Sequence, residues 1–389
     1  MTTPPPRLRF QLVAATFARL VVNTAHRMIY PFLPDFSRGL GVPDAALTQL
    51  LSVRGALGMA SPFFGAIPDR LGRRQAMLIG LGVFCAALAL VGWLPLFPTF
   101  YAALILIIFS KFIFDPALQA YLGDRTPYAR RGLVIAFSEL GWSGAALVGI
   151  PLAGLLIAFR QDWHAPFLPL AGFGLISGLV LWWVIPRDAP HAAAANAPRP
   201  NPWVVVWRSP TVLAALSVGL LISAANESLN VVYARWLERD FGLQVAQRGL
   251  TLIVIGFAEL AGEALVMWLA DRLGKRRAIG LGLAASAVAY LALPLLSRHL
   301  TFALLGLFFV FIAFEFTIVA SIPLITELVP EARGTVMSYN VASHAAGRML
   351  GVQIGSTLFP SGFLWNGVAA SVLNLVTLGV IILFVRERQ

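Results

Sequence analysis

Twelve runs of apolar residues, each near the ~20 needed to cross the ~30 Å hydrocarbon layer of a bilayer, dominate the pattern of this chain. They occupy residues 10–33, 45–67, 75–95, 101–123, 132–158, 165–186, 210–234, 247–270, 277–296, 301–325, 335–358 and 362–385. Closed barrels need alternating strands of ~10 residues, which are not seen, whereas a helix satisfies its own backbone hydrogen bonds in lipid. The runs are therefore expected to be transmembrane helices. Connections are short except over 187–209, where DAPHAAAANAPRPNP reads as a flexible linker. The expected architecture is an all-α membrane protein of two six-span halves, residues 1–186 and 210–389, joined by a cytoplasmic linker over 187–209.

Composition supports this reading, with 58% hydrophobic and 12% charged residues against about 25% charged in ordinary globular domains. Mean hydropathy is +0.79. The net charge of +11 suggests a nucleic-acid partner until the basic residues are placed. With both termini inside, cytoplasmic segments hold eighteen of the 29 Lys and Arg residues, outer loops hold six (Arg38, Arg160, Arg235, Arg239, Arg248 and Arg298), and five lie within spans. That bias is the positive-inside rule, so the charge sets topology and no nucleic acid is expected. Cys85 is the single cysteine, which excludes an intrachain disulfide and a multi-cysteine metal site. MTTPPPRLRF leads into a long span carrying Arg19 and Arg27, and no removable signal peptide is expected.

The halves repeat one another. GAIPDRLGRRQ, from Gly65 to Gln75, returns as MWLADRLGKRRA from Met267 to Ala278, and Asp69 and Asp271 are 202 residues apart. Near that offset Asn23 pairs with Asn226, Tyr30 with Tyr233, Gly41 with Gly242, Asp124 with Glu327, Pro127 with Pro330 and Gly132 with Gly334. Both phrases fall in the cytoplasmic turn between the second and third span of a half. Here the sequence resembles the major facilitator superfamily, whose signature in this turn is G-x-x-x-D-R-x-G-R-R. Gly65, Asp69, Arg70, Gly72, Arg73 and Arg74 match it throughout, and the second copy keeps Asp271, Arg272, Gly274, Lys275 and Arg276 but has Met267 in place of the first glycine. The resemblance covers essentially the whole chain and implies a twelve-helix secondary transporter working by alternating access. It also implies a gating latch at Asp69, Arg70, Arg73, Asp271 and Arg272; plain positive-inside anchoring is the competing reading of these arginines.

Charges inside the spans are the strongest functional signal, because each costs several kcal/mol unless it faces a cavity or a partner. They are Arg19, Arg27, Arg54, Lys111, Asp115 and Glu139 in the first half, and Glu227, Glu259, Glu263, Glu315 and Arg348 in the second. Spans three, six, nine and twelve hold none, as expected if every third helix faces lipid and the others line an aqueous cavity. Arg19, Asn23, Arg27 and Tyr30 form one stripe at helical spacing, Asn226, Asn230 and Tyr233 a second, and Asn340, His344 and Arg348 a third. The candidate substrate-binding set is Arg27, Arg54, Lys111, Asn23, Tyr30, Asn226, Asn230, Tyr233 and Arg348. Lys111 and Asp115, four apart, equally suit mutual neutralisation, and His344 suits packing better than proton relay. Glu259, Glu263 and Glu315 have no basic neighbour one turn away and are the first candidates for proton coupling, followed by Glu227, Asp115 and Glu139. Salt bridges that merely close the halves would show the same charge pattern.

No G-x-x-x-x-G-K-[ST] phrase, metal-ligand spacing or catalytic constellation occurs, so an ATP-driven pump, a metal site, a cofactor and an enzyme are not expected. The fifth span carries Gly149, Ile150, Pro151 and Gly154, a loosened form of the exporter phrase G-x-x-x-G-P-x-x-G-G. The expected protein is a monomeric, proton-coupled exporter of an amphipathic, anionic or zwitterionic solute, with small-molecule substrate, protons and the lipid bilayer as partners. Organic-anion uptake and lipid or lysolipid flipping on the same fold are the alternatives.

Overall fold

The computed structural model describes residues 6–64, 71–126, 128–187, 209–328 and 333–384, and among them every regular element is a helix. In the first part of the chain these are α1 (Pro6–Arg27), α2 (Leu33–Leu40), α3 (Asp44–Gly58), α4 (Ser61–Phe64), α5 (Arg73–Trp93), α6 (Phe97–Arg125), α7 (Tyr128–Gly144), α8 (Ile150–Arg160) and α9 (Phe167–Val184). A single π turn, Ala145–Gly149, joins α7 to α8. Its wider pitch precedes Pro151, which has no N–H for the ladder, so the distortion sits where the helix is already one bond short. The second part holds α10 (Pro210–Asn230), α11 (Tyr233–Phe241), α12 (Val245–Leu273), α13 (Lys275–Leu296), α14 (Leu300–Leu328), α15 (Arg333–Leu358) and α16 (Phe363–Phe384).

Nine helical stretches among the described residues are long and apolar enough to cross a membrane. The expected spans at 10–33, 45–67 and 335–358 fall short for local reasons. α1 carries Arg19, Asn23, His26 and Arg27. The second run is interrupted at Met59 and described only to Phe64. α15 bears Asn340, His344 and Arg348. These are polar helices of the kind that bundle neighbours must cover.

Contacts divide the chain into two compact units, Met1–Pro43 with Phe63–Asn196 and Val245–Ile253, and Asp44–Pro62 with Ala197–Gln244 and Val254–Gln389. In the first, α1 packs on α7 and α9, and α5 lies between α6 and α9. In the second, α10 packs on α15 and α16, α13 on α14 and α16, and α3 on α15. Small residues set these approaches, because helices in lipid gain stability by close van der Waals packing. Gly347, Gly351 and Gly355 on α15 face the backbone of Leu220, Ala224 and Ser228 on α10, in matching steps of four. In the first unit Gly141, Gly144 and Gly149 face Thr16, Leu20 and Thr24 on α1. Exposed apolar side chains such as Phe173, Leu179 and Trp183 on α9, and Leu375, Val376 and Leu383 on α16, form the surfaces a bilayer would cover.

Candidate functional site

The first unit gathers its buried charges into one cluster. Arg19, on α1, lies between two carboxylates: Nη1 is 2.8 Å from Glu139 Oε1 of α7, and Nε is 3.6 Å from Asp115 Oδ1 of α6. Asp115 also takes Lys111 Nζ at 2.5 Å, one turn away on α6. Lys111 donates in addition to Asn23 Oδ1 at 2.6 Å, and Asn23 Nδ2 donates to the Gly141 carbonyl at 3.3 Å. Two cations and two anions thus balance, which is how ionised groups persist where water is scarce. Beside them Trp142 forms a plate: the Arg27 guanidinium lies 4.2 Å from its ring centre and the Lys111 ammonium 5.6 Å. Arg27 Nη1 donates to the Trp142 carbonyl at 3.0 Å. Arg27 is buried and Trp142 partly exposed, and the two form a cation–π pair.

The second unit treats its polar stripe differently. Asn230 Nδ2 donates to Asn226 Oδ1 at 2.7 Å, and Asn226 Nδ2 to the Tyr290 hydroxyl of α13 at 3.1 Å. Tyr233 is buried at the start of α11, and Tyr30 half-buried beyond the end of α1. Glu227 is buried on α10. His344 bonds Ser223 Oγ at 2.7 Å, the packing role foreseen for it, and Arg348 one turn on is exposed. Glu259, Gly262 and Glu263 share a face of α12, and a Cβ on Gly262 would stand 2.8 Å from that of Glu315 on α14. Gly262 is thus packed against Glu315, between Glu259 one turn before it and Glu263 next to it in sequence, and Glu259 and Glu315 are buried. Arg54 is buried on α3 and belongs to this unit, whereas Arg27 and Lys111 belong to the other.

In the repeated turn, Asp69, Arg70 and the side chain of Asp271 lie outside the described residues. Gly72 and Gly274 have φ of 90° and 81°, a conformation that explains the glycine in both copies. Arg73 Nε is 3.3 Å from Asp124 Oδ2, and Arg272 lies over the Trp268 ring at 4.8 Å. Arg74 Nη2 donates to the Trp182 carbonyl, two residues before the end of α9. Arg276 Nη2 does the same to Ile382 at 2.6 Å, two residues before the end of α16.

Sequence reasoning missed four features. Arg19 was placed on a polar stripe but left out of the binding set, and Trp142 was not singled out, although it follows Glu139 by one helical step of three. Arg248, counted above as an outer-loop charge, is 1% exposed, pairs with Asp35 and donates to the Pro31 carbonyl at 3.2 Å. Arg235 likewise pairs with Asp44, at the rim of a cavity of about 490 Å³.

Membrane-length helices, an internal repeat and charge clusters inside the bundle define a polytopic solute carrier. The chain matches the Major Facilitator Superfamily over residues 15–230 and 216–389 and belongs to that family of transporters, whose fold has twelve spans. It is 27% identical over 349 residues to the MFS-type transporter YceJ of Bacillus subtilis (strain 168), covering 88% of this chain and 87% of that one. It is 26% identical to the chloramphenicol resistance protein of Streptomyces lividans, covering 91% and 92%. Among solved structures, a bacterial homologue of the human lysosomal transporter Spinster, inward-facing and occupied, superposes with a TM-score of 0.76 at 18% identity, covering 98% and 97%.

Proposed function

We propose that this transporter is a proton-coupled exporter of amphipathic organic solutes bearing an acidic or zwitterionic group. The carrying observation is the pair of cations, Arg27 and Lys111, over the one ring of Trp142. The ring offers an aromatic face to the apolar part of a solute and the cations attract its anionic group, with Asn23 and Tyr30 as polar neighbours. Arg54, Asn226, Asn230, Tyr233 and Arg348 complete the candidate binding residues, each within its own unit. Export is supported by relatives named for resistance, the chloramphenicol protein and multidrug resistance protein 2 of Bacillus subtilis, the latter 21% identical over 370 residues. The sequence halves 1–186 and 210–389 are the rocking bodies, residues 187–209 the linker, and both termini are cytoplasmic. The protein acts as a monomer, and Asp69, Arg70, Arg73, Asp271 and Arg272 serve as the cytoplasmic latch.

Coupling is assigned to Glu259, Glu263 and Glu315, the first two flanking the glycine that packs on the third; Glu227, Asp115 and Glu139 come next. Gln mimics a permanently protonated carboxyl. Once a panel of drugs, lysolipids and carboxylates has yielded a ligand by thermal shift, the variants can be compared in vesicles with an imposed pH gradient. At least one of Glu259→Gln, Glu263→Gln and Glu315→Gln loses gradient-driven accumulation and keeps exchange down the solute's own gradient. Full accumulation in all three sinks the assignment.

A further inference from the structure

The cavity of about 490 Å³ is lined by Ala45, Thr48 and Gln49 of α3, Arg235 of α11, and Gln353, Ser356 and Thr357 of α15. All seven belong to the second unit, and none is part of the cluster around Trp142. Its size lies within the ~300–1,000 Å³ of small-molecule sites. Its chemistry is unusual for a protein of this hydropathy: Ala45 is the one apolar residue in the lining. Polar groups outweigh apolar ones in its lining, so it favours a polar ligand over an alkyl or aromatic body.

Hydrogen bonds already made by the lining define what is left for a ligand. The Thr48 hydroxyl donates to the Ala45 carbonyl at 3.0 Å and the Ser356 hydroxyl to the Val352 carbonyl at 2.8 Å. Both oxygens are thus left as acceptors toward a ligand. Gln353 Nε2 donates to Ser52 Oγ at 2.6 Å, which leaves its carbonyl as a further acceptor. The opposite need is shown by Arg235, whose buried Nε and Nη2 have no hydrogen-bond partner among the described residues. Its Nη2 pairs with Asp44, a carboxylate with 45% of its side chain exposed. A buried donor without a partner is costly, and a half-exposed carboxylate is a weak competitor for the guanidinium. One anionic group at the guanidinium with several hydroxyl donors around it would match these groups.

We infer that this cavity is a second binding site, for a small hydroxylated organic acid whose carboxylate takes Arg235 in place of Asp44. Asp44 is the first residue of α3 and Arg235 lies in α11, so ligand binding exchanges an internal tie between these two helices for a tie through the ligand. The site does not depend on the Trp142 surface, and either can fail alone.

Thermal unfolding of the full-length protein in detergent, titrated with gluconate, tests this. Sorbitol supplies the hydroxyls without the carboxylate, and chloride matches the ionic strength. Gluconate raises the unfolding temperature saturably, while sorbitol and chloride do not. Asp44→Asn removes the competitor and lowers the half-saturating concentration about threefold, in line with an exposed ion pair. Arg235→Gln abolishes the shift, and Gln49→Leu, which leaves the ion pair in place should the arginine variant misfold, weakens binding at least fivefold. Arg27→Gln leaves the shift as it was, separating this site from the proposed transport site. The inference is overturned by an equal shift with chloride, by no saturable shift with gluconate, or by an Asp44→Asn variant that binds more weakly.

Discussion

Asn23 and Asn226 stand 203 residues apart at matching points of the repeat, and they bond to different kinds of partner. Asn23 accepts from the Lys111 ammonium inside a ring of four charges. Asn226 donates to the Tyr290 phenol and accepts from Asn230, with no ion in the chain of bonds. The cause lies in three substitutions between the copies: Ile222 stands where Arg19 would recur, Asn230 where Arg27 would, and Phe314 where Lys111 would. The same bundle geometry thus supports an ionic centre in one unit and a neutral one in the other. The proposed function divides along the same line, with solute charge assigned to the first unit and carboxyl protonation to the second.

The comparison breaks most severely at Arg19. Arg19→Gln leaves Asp115 and Glu139 without their shared cation, and loss of one partner from such a cluster costs about 3–5 kcal/mol. Ile222→Val, at the matching place, costs about 1 kcal/mol. Thermal unfolding of both variants in the same detergent measures the contrast, and similar losses would show that the cluster does not hold the first unit together.

Packing offers the next test. A methyl added by Gly347→Ala meets the backbone carbonyl of Leu220, which cannot rotate away, whereas Gly144→Ala, 203 residues earlier, meets only the Leu20 side chain. The first variant is expected to lose about 2–3 kcal/mol and the second under about 1 kcal/mol, within the usual range for overpacking. A loss at Gly144 as large as that at Gly347 would mean that the two helix pairs are equally tight.

Recognition is then sharpened at Trp142. Trp142→Ala removes a cation–π plate worth about 1–2 kcal/mol, so affinity for acidic ligands falls roughly tenfold while Trp142→Phe retains most of it. Equal affinity in wild type and the alanine variant places the ligand elsewhere. The last contrast is between the two asparagines. Asn23→Leu breaks a bond to an ammonium and costs about 2–3 kcal/mol, but Asn226→Leu loses neutral bonds and costs about 1 kcal/mol. Denaturation of the pair, run side by side, should rank them in that order.

Why some of this was legible in the sequence and some was not comes down to the range of the pattern. A bilayer imposes runs of fixed length and makes a charge well inside them conspicuous, so the helices, the repeat and the ions in mid-span were readable, while Arg248 at a span's edge was not. Helical periodicity also reaches three or four residues, enough to pair Lys111 with Asp115. It says nothing about partners on other helices. Arg19 with Glu139, Arg248 with Asp35 and Arg235 with Asp44 are joined by tertiary packing alone, across 120, 213 and 191 positions of sequence. Hydropathy also treats Thr48, Gln49, Ser356 and Thr357 as ordinary residues at helix ends, because neutral polar side chains there attract no attention until a cavity brings them together.

The arginines of the repeated turn carry a consequence for how such a protein can be inherited. Arg74 and Arg276 each cap carbonyls near the end of the sixth helix of their own copy, where a cation also complements the helix dipole. A six-helix module fastened in this way carries its own closing peg and borrows none from its twin. It can therefore be copied whole, tail to head, with both copies sealed from the start. Divergence between the copies lies in the interior, one copy's arginines matching the other's isoleucine and asparagine, while both keep the peg.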